Sequence, residues 1–281
     1  MIRFPTNLDQ IQTTGVFRAG GTDVQARINS GILIDPDIIS LRDLNDLVGV
    51  VAMDDGGFQI GAMTRIQDAA DALQDKGYQA LVEAFHGLAT PAIRRIATVA
   101  GNLFQDIRCP YYRMGQSCVH TSGEGCQAQH ATTAHFSAIE TSGCLAVHPS
   151  TCALALLAYQ ATVQWADGTR QPLQTALQQS SGKLCVAIIL PPSTEQTGAW
   201  LRISSRAHAE WPLIEAVYSK RVTNGTMVFG AVAPQPMIVE FTQHTELQSQ
   251  ISQWKFRASM NYKQQLINAA ITELINRVEG T

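Results

Sequence analysis

The sequence has no apolar run long enough to span a membrane. Its richest stretch, CLAVHPSTCALALLAY, is broken by His148, Pro149, Ser150 and Thr151. Charge is sparse: Asp, Glu, Lys and Arg make up 15% of residues and the net charge is −3, so no basic surface for nucleic acid or an anionic membrane is expected. Cysteine is scarce too, since six in 281 residues are too few for a disulfide scaffold. The dinucleotide fingerprint G-x-G-x-x-G is missing, which excludes an ordinary Rossmann site. C-x2-C pairs are also missing, which argues against a zinc ribbon. The opening MIRFPTNLDQ lacks the basic start and apolar centre of a secretory signal. The expected location is the cytoplasm, or the periplasm if the chain is exported with a signal-bearing partner. What remains is a globular chain long enough to hold two domains.

MIRFPTNLDQIQ reads as a short strand and a helical turn begun by Thr6 or Asn7. GVFRAGG reads as a strand entering a tight turn, and TDVQARINSG as a helix from Thr22 or Asp23 to Gly31. DIISLRDLNDL and FQIGAMT read as strands. TRIQDAADALQDKG is an amphipathic helix with Thr64 as expected N-cap, and ALVEAFHGLATPAIRRIA is a helix broken at Thr90-Pro91. CALALLAYQA is a buried helix, TVQWADGTRQPL a hairpin around Asp167-Gly168, and KLCVAIILPP a strand stopped by two prolines. The remainder reads as strand, helix, strand, strand and a closing amphipathic helix. A composition change in QPLQTALQQSSGK places a boundary between units 1–176 and 177–281.

Two glycines at the end of a strand weaken it unless something must approach the backbone there. In AGGTD, residues Ala19, Gly20, Gly21, Thr22 and Asp23 precede a helix, so consecutive amides and a helix N-terminus meet at one spot. That arrangement suits a phosphate or pyrophosphate; a plain glycine turn with a helix cap reads equally well. About eighty residues later, IRRIATVAGNLFQ sets Thr98, Ala100, Gly101 and Asn102 in a second small-residue turn. The two turns are expected to face each other across one elongated ligand. VHPSTCALALLAY is a third turn feeding a buried helix.

From Gly101 to about Gly143 periodicity dissolves, and compact domains rarely carry so long an irregular loop without a purpose. Cys109, Cys118, Cys126 and Cys144 fall here with spacing C-x8-C-x7-C-x17-C. Four thiolates suit either zinc or a [4Fe–4S] cluster, and the small residues of GQSCVHTSGEGCQAQ would permit wrapping and N–H···S contacts. Cys152 and Cys185 sit in apolar runs and read as small core residues. His120, His130 and His135 lie in the same loop as surface residues or substitute ligands. Tyr111 and Tyr112 are expected to pack over the cysteines. His148 lies in a turn with no nucleophile motif nearby, so a capping role is expected. Arg94 and Arg95 are expected in solvent.

AGGTD, IGAMT, AIRRIATVAGN and AVHPS, in that order and followed by WLRISSRAHAEWPLIEAV, resemble the FAD-binding subunit of the molybdenum hydroxylases, the xanthine dehydrogenase, carbon monoxide dehydrogenase and aldehyde oxidoreductase family. The resemblance covers nearly the whole chain. It implies an α+β fold: a vanillyl-alcohol-oxidase or PCMH-type FAD-binding domain of two subdomains over 1–176, then a smaller α+β domain over 177–281 like the C-terminal domain of CO dehydrogenase flavoproteins. It implies that Ala19, Gly20, Gly21, Thr22 and Asp23 cradle the FAD pyrophosphate, and that Thr64, Thr98, Ala100, Gly101, Asn102, Ser150, Thr151 and Arg202 line the rest. RCPYYR, GEGC and C-LAVHPS resemble a subgroup with an inserted iron–sulfur loop, about 103–145, as in 4-hydroxybenzoyl-CoA reductase and periplasmic aldehyde oxidoreductase. That implies a [4Fe–4S] cluster on Cys109, Cys118, Cys126 and Cys144.

The sequence departs from the family at Thr151, where relatives carry Asp near the flavin, at Arg202, where they often carry Lys, and in a shortened segment between Phe4 and Ala19. The resemblance implies an electron-transfer subunit. It would pass electrons from a partner's [2Fe–2S] clusters to an external acceptor, while a large subunit with molybdenum cofactor holds the substrate. No residue of this chain is expected to be a general acid or base. A flavin-free scaffold of the same complex and a stand-alone FAD oxidase are the alternatives.

Overall fold

The structure, a computed structural model, describes residues 1–11, 15–123, 125–131, 135–193, 196–206 and 210–280. The chain begins with β1 (Ile2–Arg3), β2 (Val16–Arg18), α1 (Val24–Asn29) and β3 (Ile38–Ser40). β3 pairs in parallel with β1 on one side and β2 on the other. Asn7 caps the 3-10 turn between β1 and β2, accepting from the Gln10 amide at 3.2 Å.

β4 (Val50–Ala52) and β5 (Phe58–Gly61) lead into α2 (Ile66–Leu73), α3 (Gln79–Gly87), α4 (Pro91–Arg94), α5 (Val99–Leu103), α6 (Pro110–Arg113) and α7 (Thr151–Ala158). The hairpin β6 (Thr162–Trp165) and β7 (Arg170–Pro172) follows, then α8 (Leu173–Gln178) and β8 (Cys185–Leu190). These strands form an antiparallel sheet of order β4-β5-β8-β6-β7. β8 sits in its middle, although it follows the 176/177 boundary. Ile66, Ala69, Ala70 and Leu73 form the buried stripe of α2, as their spacing predicts. Thr64 is not its cap. Arg65 occupies that place, and the Thr64 hydroxyl instead donates to the Gly49 carbonyl and accepts from the Gly49 amide, both at 2.9 Å. Thr90 does cap α4, with Pro91 in its first turn. Every residue of α7 is buried, and Ser150 caps it by accepting from the Ala153 amide at 3.0 Å.

The last part of the chain contains β9 (Thr197–Ile203), β10 (Ile214–Lys220), β11 (Gly225–Gly230), β12 (Met237–Phe241), α9 (His244–Ser252) and α10 (Asn261–Glu279). The strands form an antiparallel meander. One face carries Ala216, Tyr218, Met227 and Phe229 into a core with α9 and α10; the other carries Val217 and Val228 into the core with α3 and α7. Covered on both faces, β10 and β11 read as continuous apolar runs, which periodicity alone does not separate from a helix. The helix expected after β9 is therefore a strand, β10, and α9 is an element the sequence reading did not include. Residues 207–209 of the WLRISSRAHAEWPLIEAV motif lie outside the described residues, as does Glu124 of GEGC.

The loop that carries the four cysteines is irregular apart from α6 and a 3-10 turn at Gln127–His130. Its far end is stitched to the C-terminal sheet. The Ala138 amide donates to the Val232 carbonyl at 2.7 Å, and the Arg257 guanidinium donates to the carbonyls of Ser137, Gln129 and Ala131.

Candidate functional site

The four motifs form one chain of contacts. Gly20 packs directly on the Ile96–Ala97 backbone, leaving no room for a Cβ, and Gly101 lies against the Ala19 side chain. The IGAMT and TVAGN turns are hydrogen-bonded to each other: the Val99 amide donates to the Thr64 carbonyl at 2.9 Å, and Ala100 to Ala62 at 3.2 Å. Asn102 joins the third turn to the fourth, its Oδ1 accepting from the Ser150 hydroxyl at 2.7 Å and the Cys152 amide at 3.3 Å.

Between these turns runs a groove with two chambers. A chamber of about 650 Å³ is walled by Ala19, Gly20, Gly21, Ala100 and Gly101, and by Ser180–Lys183 opposite. A second, of about 320 Å³, is walled by Asn102, Thr151, Arg202, Trp211 and Glu215. The chambers share Thr22, Asp23, Gly101 and Gln105, so the AGGTD turn stands at the waist. Gly21 has φ of +76°, which favours glycine, and the amides of Gly20, Gly21, Thr22 and Asp23 have no hydrogen-bond partner among the described residues. The Nε groups of Arg18, Arg27 and Arg202 are buried and have no partner. The Arg18 guanidinium lies beside Gly21, Arg27 lines the larger chamber and Arg202 the smaller. Orphaned donors are costly when buried, so a run of them along one groove fits an elongated, multiply anionic ligand.

The carboxylate of Asp23 is engaged by the start of the cysteine loop. It accepts from Arg113 Nη2 at 2.9 Å and from the Asp106 amide at 3.1 Å, and Arg108 Nη2 lies 3.1 Å away. Asp106 in turn pairs with Arg27 at 2.9 Å and accepts from the Tyr112 hydroxyl at 2.6 Å. This network binds the head of α1 to the start of the cysteine loop.

At the narrow end, the Thr151 hydroxyl lies 2.9 Å from both carboxylate oxygens of Glu215. Burial pushes that carboxyl up to about 7, with the Thr151 hydrogen bond and the Arg202 charge opposing. His148 beside it is held down to about 4 by burial and accepts from the Ser150 amide.

Residues 9–193 match the model of the FAD binding domain in molybdopterin dehydrogenase. The chain belongs to that family. It is 30% identical over 246 residues to the aldehyde oxidoreductase FAD-binding subunit PaoB of Escherichia coli K12, a match that covers 80% of this chain and 76% of that one. In fold it is similar to a chain of the CO dehydrogenase of Oligotropha carboxidovorans, with TM-score 0.72, 16% identity and coverage of 99% and 97%. A chain of the carbon monoxide dehydrogenase of Hydrogenophaga pseudoflava gives 0.71, 14%, and 99% and 96%. The expected α+β fold of this FAD-binding family is thus the observed one.

Of the residues proposed from sequence to line an FAD site, the structure brings Ala19, Gly20, Gly21, Thr22, Asp23, Thr98, Ala100, Gly101, Asn102, Thr151 and Arg202 to the groove. Thr64 and Ser150 stand behind its wall, their hydroxyls engaged by Gly49 and by Asn102 and Ala153. The Thr98 hydroxyl is also engaged, accepting from the Gly101 amide at 3.1 Å. Arg94 is not a solvent residue: its guanidinium donates to the Leu88 and Ala89 carbonyls and to Gln67. Sequence reading missed Arg18, Arg27, Arg108 and Glu215. A charged residue inside an apolar strand, as in PLIEAV, was the available signal for Glu215.

Cys109 and Cys126 pack on the small core of Ala128, Phe136 and Leu145, beside Tyr111, whose ring stacks on Phe136. The Cys144 thiol is pushed up by burial and by the neighbouring Cys126, Cys109 and Cys118, while the Ala146 amide donates to its sulfur at 3.3 Å. Among the described residues, however, no three His, Cys, Asp or Glu gather closely enough to hold a metal ion. Tyr112 turns from the cysteines toward Asp106. Cys152 and Cys185 are buried core residues, as expected, although Cys185 also lines the larger chamber. No described helix is long and apolar enough to cross a membrane.

Proposed function

We propose that this chain is the FAD-binding electron-transfer subunit of a molybdenum hydroxylase complex. It would accept electrons from a partner's [2Fe–2S] clusters and deliver them to an external acceptor, while a molybdenum-cofactor subunit carries out substrate chemistry. The observation that carries this reading is the groove lined by four unpartnered amides and the orphaned guanidinium Nε groups of Arg27 and Arg202, with that of Arg18 beside Gly21. Bound FAD would supply the exchange between one- and two-electron carriers. The chain itself would bind the pyrophosphate through Gly20–Asp23 and Arg27 and orient the ring end with Asn102, Thr151 and Arg202. Its location would follow its partners: the cytoplasm, or the periplasm by joint export.

A [4Fe–4S] cluster on Cys109, Cys118, Cys126 and Cys144 belongs to the same proposal. Its support is the donor set, four thiols in one loop with the Ala146 amide already donating to the Cys144 sulfur, although among the described residues no three of them gather closely enough to hold a metal ion. A division into units 1–176 and 177–281 is proposed as well, with β8 returning to the first unit's sheet.

The test is acid extraction of the complex purified anaerobically, with FAD fluorescence, iron and acid-labile sulfide measured per chain. One FAD is expected per chain, and four iron beyond the two carried by each partner [2Fe–2S] cluster. That extra iron without FAD would favour a flavin-free scaffold, and FAD without the extra iron would remove the cluster while leaving the flavin function intact.

A further inference from the structure

Glu215 is a buried carboxylate on the groove to which flavin binding alone assigns no task. It stands on the face of β10 turned toward α7, and its hydrogen bonds come from the Thr151 hydroxyl. Arg202 is its neighbour across the ladder on β9, and Gly230 its neighbour on β11. The carboxyl stands in a wall common to the narrow chamber and a smaller cavity of about 190 Å³, shared with Arg108, Pro149, Thr151 and Trp211. The smaller cavity is also lined by Cys109 of the proposed cluster. The carboxyl therefore lies between the flavin end of the groove and the cysteine loop.

We infer that Glu215 is a positioning residue for the redox change: it takes up one proton when a flavin in the groove gains two electrons, and releases it when those electrons leave. This rests on the flavin reading. The balance is two electrons in from the partner's iron–sulfur clusters, one proton onto the flavin and one onto a Glu215 oxygen. Oxidation by the external acceptor returns both protons to solvent. The physical cause is local, because negative charge added beside a buried carboxylate favours its protonated form. Thr151 suits both states, since a hydroxyl donates to the carboxylate and accepts from the acid. The aspartate expected at this position would have left two carboxylates in contact.

Other charged and titratable groups stand around Glu215. Arg202 and Arg108 are cations near it. Asp23 and Glu210 lie further along the narrow chamber, and His135 lies across the smaller cavity. Cys152 on α7 is pushed well above its ordinary range by burial, so it stays neutral, and His148 stays neutral down to about 4. From α10, the buried Lys263 donates to the Ala231 carbonyl at 2.7 Å and is pushed down to about 8.

The test is spectroelectrochemical titration of the flavin in the purified complex from pH 6 to 8.5, for wild type, Glu215→Gln and Thr151→Val, with flavin content measured in each. Above pH 7 the wild type should pass from one to two protons per two electrons, which is an extra ~30 mV per tenfold change in proton concentration. Glu215→Gln should keep the one-proton slope throughout. Thr151→Val, which loses the donor to the charged form, should begin its rise at higher pH. An infrared difference spectrum of the wild type should show a carboxylic C=O band appearing on reduction, and it decides the matter if Glu215→Gln loses its flavin. Equal slopes in flavin-loaded wild type and Glu215→Gln, or no such band, overturn the inference and leave the flavin reading standing. A wild-type complex without flavin overturns both.

Discussion

Gly20→Ala isolates the contact that brings the two turns together. An added Cβ would overlap the Ile96 carbonyl oxygen, lying 2.9 Å from the Ile96 carbonyl carbon and 3.1 Å from Ala97 Cα. These are backbone atoms, so no rotamer change relieves the clash. The opposing segment is firmly held: the Ile96 and Ala97 amides donate to Ile93 at 3.0 and 2.8 Å, and the Ile66 amide donates to Ala97 at 2.9 Å. The glycine turn must therefore yield. Overpacking of this kind costs about 1–3 kcal/mol, or about 2–4 °C in Tm per kcal/mol for a chain of roughly this size. The yielding turn carries the free amides, and a hydrogen bond to a charged partner contributes about 1.5–3 kcal/mol. Losing one would weaken FAD binding about tenfold or more. The assay is fluorescence titration of the flavin-depleted complex with FAD, beside thermal melts. Gly31→Ala is the control, because its φ is +72° with nothing within 4 Å of the added Cβ. It should cost stability without changing FAD affinity. A Gly20→Ala protein within twofold of wild-type FAD affinity would refute the converging-turn account.

Asp23→Asn removes the charge that Arg108 and Arg113 share, and should destabilise the chain by about 1.5–3 kcal/mol in urea melts; a loss below about 0.5 kcal/mol would show the network to be idle. Between pH 4.5 and about 7 folded Glu215 holds a proton that the unfolded chain releases, so its stabilisation is complete below that window and is lost as pH rises through it. Glu215→Gln should accordingly gain on wild type by up to about 3 kcal/mol across this rise, read from melts at several pH values. His148 gives the opposite slope, its contribution being lost as pH falls from 6.5 through about 4, so in His148→Gln acid sensitivity over that range should shrink. Cys152 and Cys185, the latter pushed up to about 12 by burial, should resist iodoacetamide in the folded chain. Rapid labelling of either in native buffer would contradict their burial.

The turns were legible in the sequence because their causes are local. Thr90-Pro91 begins α4 through a side-chain cap and a preset φ, Asp167-Gly168 closes the β6–β7 hairpin, and Ile66, Ala69 and Leu73 recur at helical spacing. AGGTD and TVAGN were expected to face each other across a ligand; the structure instead brings the segments into direct contact, with Gly20 small to admit the Ile96 backbone. What sequence could not show was set by partners far along the chain. Thr64 is drawn from its expected cap to Gly49, β10 is a strand because α7 and α10 cover its two faces, and Glu215 acquires meaning only once Thr151 lies against it. The four cysteines were visible as a group, but their arrangement depends on a loop anchored by Arg257 more than a hundred residues on.

An aspartate in a turn proposed to receive a pyrophosphate is a paradox on charge alone, because like charges at this range repel strongly in a partly buried site. The resolution lies in what already engages the Asp23 carboxylate. The residue's amide joins those of Gly20, Gly21 and Thr22, while its carboxylate is engaged by Arg108, Arg113 and the Asp106 amide. Asp106 is in turn neutralised by Arg27. Set against these two carboxylates are Arg18, Arg27, Arg108 and Arg113, so the waist of the groove keeps an excess of cationic charge for an anion. Three of the residues involved, Asp106, Arg108 and Arg113, come from the stretch that enters the cysteine loop. The loop therefore supplies the charge balance that would let the glycine turn accept a phosphate, and the waist of the groove is complete only when that loop is in place.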